Sequence, residues 1–179
     1  ILIKEATLFC DWYVRKNFTK INLNKFSREF NKIVKKLTKS LKLKNDVFVH
    51  RDFHVSNLMQ VKKRIGVIYS QDALIGNKAY DLASLIDDVR LKTSKQFKKK
   101  IFKFYLKRKK KINFKKFKND FEILSILRNL KIIGIFTRLS VRDKKHHYLK
   151  LIPHAWKLIK NRLKNKDKFN NLKMQLNKL

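Results

Sequence analysis

His50–Asn57 reads HRDFHVSN and runs on through LMQVKKRIGVIYSQDALIGNKAYDLASLIDD to Asp88. Apolar residues recur at helical spacing on either side of this stretch, but from Asp46 the texture changes. The runs VFV (47–49), LMQV (58–61) and IGVIY (65–69) are short and β-prone, and polar residues separate them. The KKR of residues 62–64 predicts the turn of one small hairpin between Gln60-Val61 and Ile65-Gly66. Residues 50–57 are left as a loop, delivered by one strand and received by another.

Working outward, the rest of the chain reads as helix. It has three Gly and one Pro, far too little turn chemistry for an all-β protein. Leu2, Ala6, Phe9 and Tyr13 share a face and predict a core helix to about Arg15. Phe26, Phe30, Ile33, Leu37 and Leu41 predict a second helix of about four turns, with Asn24 as its cap. Beyond the loop, Leu82, Leu85, Ile86 and Val89 have the spacing of a buried helical face, and Phe97, Ile101, Phe104 and Tyr105 form another, capped by Ser94. A long apolar helix is expected from Phe117 to about Phe136, then one through Tyr148, Trp156 and Ile159 that Pro153 would kink. After Lys164 the chain is polar. The expectation is an α+β, mainly helical chain with a small β hairpin, and one folding unit is the default at this length.

Lys and Arg number 47 against 13 Asp and Glu, a formal charge of +34. Such a field draws phosphates, nucleic acid or anionic lipid without a dedicated site. The excess is mostly Lys, however, spread beside abundant Asn, Ile and Phe as an AT-rich coding sequence would place it. The lysine runs Lys98–Lys100 and Lys107–Lys111 therefore read as solvated faces and loops. No specific nucleic-acid partner is expected, although a basic nucleic-acid-binding or membrane-surface protein stays open as an alternative. No apolar run reaches the roughly 18 residues of a membrane span. The start, ILIKEATLFCDWYV, has no signal-peptide leader, and it begins in mid-helix character without Met, which suggests sequence upstream. Cys10 has no cysteine to pair with and reads as a buried apolar residue in a reducing compartment, so the cytoplasm is the expected address.

Asp52 and Asn57 have the separation found in H-R-D-x-x-x-x-N, where the Asp accepts the proton of an attacking hydroxyl and the Asn holds a magnesium ion. The chemistry explains the spacing: a base must reach the nucleophile while an amide oxygen, one loop turn away, reaches a metal on the phosphates. Two other readings stay open. Both side chains could merely cap backbone amides in a turn, and His50 with His54 could form an i, i+4 zinc pair, although no third ligand is evident.

Taken together, HRDFHVSNLM, IGVIYSQDALIG and AYDLASLIDD resemble the aminoglycoside phosphotransferase family, relatives of choline and protein kinases. The resemblance is strongest to its cell-wall amino-sugar branch, which phosphorylates N-acetylmuramate and N-acetylglucosamine and typically reads HRDFHxxNLM, IDFQDA and YDLxSLL. The match runs from about Val47 to Arg90.

The resemblance implies a kinase-like C-terminal lobe. Residues 1–45 would form a helical subdomain, 46–92 the catalytic loop, hairpin and following helix, 93–164 the C-terminal helices and 165–179 a polar tail. It also implies ATP and Mg2+ as cofactors, a sugar substrate, and an N-terminal nucleotide-binding lobe in the intact protein. On these positions Asp52 would be the catalytic base and Asn57 a metal ligand, with His54 and Arg51 near substrate or phosphates. His50 and Asp81 would support the loop. One departure stands out: Tyr69 occupies the family's metal-binding Asp position, with Ser70 in place of the neighbouring Phe. A neutral phenol does not replace a carboxylate on a hard dication, and Asp72 is the one close carboxylate left. A catalytically dead fragment or pseudokinase is therefore the alternative. Asp87 and Asp88 are expected on an exposed helix face paired with basic residues, and His146, His147 and His154 at the surface. Arg138 and Arg142 would be two cations on a solvated turn, or would flank an acidic sugar.

Overall fold

The computed structural model of the chain describes residues 1–109 and 112–179. Lys110 and Lys111, the end of the second lysine run, lie outside the described residues. The order of elements is α1 (Leu2–Leu8), a π-helical turn (Phe9–Val14), α2 (Arg15–Asn17), α3 (Leu23–Lys39), β1 (Asn45–Val49), a 3-10 turn (Val55–Asn57), β2 (Leu58–Val61), β3 (Arg64–Val67) and β4 (Leu74–Asn77). There follow α4 (Tyr80–Ile86), α5 (Lys95–Arg108), α6 (Phe114–Arg142), a 3-10 turn (His146–Leu151), α7 (Ile152–Leu163), a further 3-10 turn (Asp167–Phe169) and α8 (Asn170–Leu176). This is a mainly helical α+β chain with two small antiparallel sheets, β1 with β4 and β2 with β3. It divides into two compact units, residues 1–40 with 126–179, and residues 41–125.

In the first unit Phe9 lies at the centre of an aromatic cluster, stacked on Tyr13 at 5.4 Å and in contact with Phe30 at 5.6 Å and Trp156 at 5.7 Å. The indole Nε1 of Trp156 donates to the Tyr13 hydroxyl at 3.1 Å, so the one polar atom of that ring is satisfied. Cys10 is buried beside Phe9, and desolvation pushes its thiol up to about 12, so it packs as a small apolar group. Glu5 pairs with Lys131 at 3.0 Å. Asn22, two residues before the expected Asn24, caps α3 by accepting from the Lys25 amide at 3.0 Å. Pro153 does not kink a helix. It lies in the first turn of α7, where its missing N–H costs nothing, and the preceding residues form a separate 3-10 turn.

The expectation of a polar tail is corrected as well. Residues 167–176 form a short turn and α8, with Phe169, Leu172 and Leu176 buried. Gln175, 3% exposed, donates from Nε2 to the Phe26 carbonyl at 3.1 Å, which ties α8 to α3. The apolar residues are three or four positions apart among lysines and asparagines, so mean polarity concealed them.

In the second unit α6 begins among aromatic contacts: Phe102 of α5 meets Phe121 at 4.9 Å and Phe117 at 5.7 Å. Asp120, fully buried, accepts from the backbone of Lys42 (2.8 Å) and Leu43 (2.9 Å) and from Asn77 Nδ2 (2.7 Å). One carboxylate thereby fixes the chain entering β1 and the end of β4. The hairpin turns at Lys62-Lys63, as its sequence predicts, with Lys62 at φ 52. Strand β4 has no counterpart in the sequence reading, because LIGN shows no alternation. Its register against β1 pairs Phe48 with Ile75 and Val49 with Leu74.

Gly134 of α6 is the position where a side chain is least tolerable. A Cβ built there would meet the Leu8 carbonyl group and lie 2.7 Å from the Phe9 amide nitrogen, and backbone cannot step aside as a side chain can. Gly134→Ala is expected to cost about 1–3 kcal/mol. Urea denaturation checks this; a midpoint equal to that of the parent chain would show that the backbones are not in close approach.

Candidate active site

Loop 50–57 leaves β1 through two consecutive amides that are both held by one carboxylate. The His50 N–H donates to Asp81 Oδ2 at 2.7 Å and the Arg51 N–H to Asp81 Oδ1 at 3.0 Å. Asp81 is in the first turn of α4, so a helix start is fastened to a strand end. Arg51 has φ 71, a left-handed conformation that costs a non-glycine residue about 1 kcal/mol or more. Charge-assisted hydrogen bonds of this kind are strong enough to hold it. The Arg51 guanidinium turns to the Asp72 carbonyl at 3.0 Å.

The far side of the loop is fastened in the same way. Asp88, just past α4, accepts from the Val55 N–H at 3.2 Å through Oδ2 and from the Arg90 N–H at 3.0 Å through Oδ1. Asp87 receives Lys98 Nζ at 3.0 Å and the Ser125 hydroxyl at 2.6 Å. Both carboxylates are 1% exposed, which corrects the expectation of an exposed helix face. The helix stops at Ile86, and the two acids turn inward to satisfy polar groups there instead of continuing its solvent side.

Within the loop, Asn57 is buried and its Nδ2 donates to the Asp52 carbonyl at 2.9 Å. Its amide nitrogen takes the His54 carbonyl at 2.9 Å, and the His54 N–H takes the Asp52 carbonyl at 3.0 Å. Ile68 closes the ring: its N–H donates to the Asn57 carbonyl at 3.1 Å, and its own carbonyl accepts His50 Nε2 at 3.0 Å. The residue that follows Ile68 therefore stands beside the loop. It is Tyr69, 60% exposed and at φ 64. His54 is buried at 8%, Asp52 is half-buried and Asp72 is exposed. Beneath the loop, burial and, second to it, the Asp81 charge raise the pKa of Tyr105.

The structure thus brings His50, Arg51, Asp52, His54, Asn57 and Asp81 into one hydrogen-bonded assembly through Ile68, with Tyr69 next in the chain and Asp72 joined through its backbone. Sequence reasoning placed Asp88 on an exposed helix face and missed its hold on the Val55 amide, which depends on a contact 33 residues away. Arg142, by contrast, pairs with Asp143 at 2.6 Å and His146 Nδ1 lies 2.8 Å from the Ser140 hydroxyl, both within the first unit.

The side chains present form no ready-made cage for a magnesium ion: no group of three His, Cys, Asp or Glu among the described residues could hold a metal. Mg2+ usually needs only one or two carboxylates, with water and substrate phosphates completing its octahedron, and Asp72 is exposed and joined to the loop only through its backbone carbonyl. The phenol of Tyr69 contributes no anionic oxygen. Its backbone, however, adopts the left-handed region in which Asp and Asn are enriched and bulky residues are rare.

A model of the phosphotransferase enzyme family (APH) matches residues 3–114. The chain belongs to that family. Among curated proteins this family member is 34% identical over 158 residues to the N-acetylmuramate/N-acetylglucosamine kinase of Neisseria meningitidis, covering 85% of this chain and 47% of that one. It is 33% identical over 115 residues to the protein of the same name from Caulobacter vibrioides, covering 62% of this chain and 32% of that one. The Pseudomonas aeruginosa protein of that name is 29% identical over 165 residues, 89% of this chain and 49% of its own length. The chain thus spans at most about half the length of these relatives. No helix of the described residues is long and apolar enough to cross a membrane.

If the two carboxylates hold the loop as the geometry indicates, Asp81→Ala should release the His50 and Arg51 amides and Asp88→Ala the Val55 amide. Each loss should be worth about 1–3 kcal/mol, because a buried donor is left without its acceptor. Hydrogen exchange followed by NMR reads this amide by amide. Unchanged protection at these three positions would sink the account.

Proposed function

We propose that this chain is the catalytic-loop portion of an ATP-dependent kinase of amino sugars, with N-acetylmuramate and N-acetylglucosamine as acceptors, acting in the cytoplasm. The observation that carries the reading is the loop's internal fastening, which ties the Asn57 amide to Asp52, in a chain whose similar curated proteins bear that name. In this reading Asp52 accepts the proton of the sugar hydroxyl as its oxygen attacks the γ-phosphorus of ATP. The new O–P bond forms as the bond to the bridging oxygen breaks, and ADP leaves. Arg51 and His54 lie toward substrate and phosphates, while His50, Asp81 and Asp88 keep the loop in place. Positioning carries most of the acceleration. The nucleotide-gripping parts belong to an N-terminal lobe of the intact protein.

A second reading is favoured by one residue. Tyr69 puts an exposed phenol where the family places a carboxylate, which leaves Asn57 and Asp72 as the ligand candidates named for a dication among the described residues. On this reading the copy keeps its scaffold and does not transfer phosphoryl groups.

Both readings meet in one set of measurements. ADP release in the presence of N-acetylmuramate should not exceed that of Asp52→Asn in the native chain, while the Tyr69→Asp chain should bind Mn2+ at least about tenfold tighter by calorimetry, as expected for an added carboxylate. Turnover by the native chain equal to that of Tyr69→Asp would remove the second reading. A folded Tyr69→Asp chain that takes up neither metal, nucleotide nor sugar would remove the first.

A further inference from the structure

The second unit contains a groove of about 1090 Å³ that the loop chemistry does not use. One wall is β1, whose Val47, Phe48 and Val49 all line it, and among the described residues β1 pairs with β4 on one side only. The opposite wall is α5, a helix that contributes no buried residue. Its residues Phe102 and Tyr105 pack on Phe117, at 5.7 and 5.5 Å. A second face, Phe97, Ile101, Phe104 and Arg108 at spacings of four, three and four, turns to the groove. Phe48 is 64%, Phe97 49% and Phe104 58% exposed, so large apolar surface stands open on both walls.

The charge around this surface is one-sided. Lys100, Arg108 and Lys109 line the groove and have no carboxylate partner among the described residues, whereas Lys78 pairs with Asp46 at 3.2 Å. The lone carboxylate in the lining is Asp81, which is engaged by the His50 and Arg51 amides. We propose that the groove receives an extended, acidic segment of a partner polypeptide. The segment adds as a strand to the free edge of β1 and seats alternate apolar side chains against Phe48, Phe97 and Phe104. Its carboxylates meet Lys100, Arg108 and Lys109. Main-chain pairing at a strand edge supplies affinity in such recognition, and pockets for alternate side chains supply specificity. An extended segment fits better than a flat lipid surface because the exposed rings stand on two facing walls.

A fluorescein-labelled peptide of alternating valine and glutamate tests this by anisotropy on the full chain. Binding is expected, with an affinity loss of about tenfold or more on Phe104→Glu, and a similar loss when the peptide's amides on one edge are N-methylated. Phe104 is exposed, so the variant should fold, and circular dichroism verifies that it does. Lys160→Glu, a charge change of two units on α7 against one at Phe104, should leave the affinity within about twofold. The proposal is overturned if Lys160→Glu weakens binding as much as Phe104→Glu, since bulk charge then explains it. It is equally overturned if the N-methylated peptide binds as well as the parent, or if phosphatidylserine vesicles or N-acetylmuramate displace the peptide from the groove.

Discussion

Everything at the candidate site hangs on the carboxylate of Asp81 and the two backbone amides it holds. Those bonds, at 2.7 and 3.0 Å, fasten the chain just past the end of β1, where Arg51 takes a left-handed conformation and Asp52 follows it. A loop of eight residues has many conformations of similar energy, and fixing each residue costs about 1–2 kcal/mol of entropy. Buried, charge-assisted bonds at both ends offset part of that cost before any ligand arrives. The helix α4 supplies them from its two ends, Asp81 at the start and Asp88 just beyond the finish, so the loop is anchored at both of its ends to one helix.

The same economy of acids runs through the second unit. With 13 acidic residues against 47 basic ones, carboxylates are scarce, and several are placed inside. Asp87 takes Lys98 and Ser125, Asp88 takes Val55 and Arg90, and Asp120 takes Lys42, Leu43 and Asn77. A buried donor left unpaired costs more than a surface ion pair gains, so replacing these acids should destabilise the unit more than replacing an exposed one. The formal charge of +34 counts every acid wherever it lies; with several acids inside, the exposed surface is left predominantly basic. It needs no partner to explain it, although it would steer any acidic ligand toward the chain.

The parts of this fold that were legible in the sequence are those set by local rules. Ser94 caps α5 as expected, the hairpin turns at Lys62-Lys63, and the long apolar stretch centred on Leu127 is α6. What was not legible depends on contacts distant in sequence. Asp87 and Asp88 look like a solvated helix end until Ser125 and Val55 are seen to need them. α8 looks like a frayed tail until Gln175 reaches Phe26, 149 positions away. Strand β4 is held by Asp120 through Asn77, and nothing in LIGN announces it. At the loop, the residue identities were legible but the fastening by Ile68 was not, because it uses backbone groups that every residue has.

That fastening also explains how Tyr69 can stand where it does. The hydrogen bonds that close the loop run through Ile68, through the Asn57 carbonyl and through His50, and none of them uses the side chain at position 69. The ring at 69 is 60% exposed, so its bulk meets solvent and its main cost is the left-handed φ of 64. A substitution there can remove a carboxylate without loosening the loop. The backbone still has the conformation that suits Asp, and the scaffold that would present such a residue is intact. The scaffold is therefore separable from the side chain at 69: it depends on buried aspartates and main-chain bonds, and the fold does not need what stands at that position.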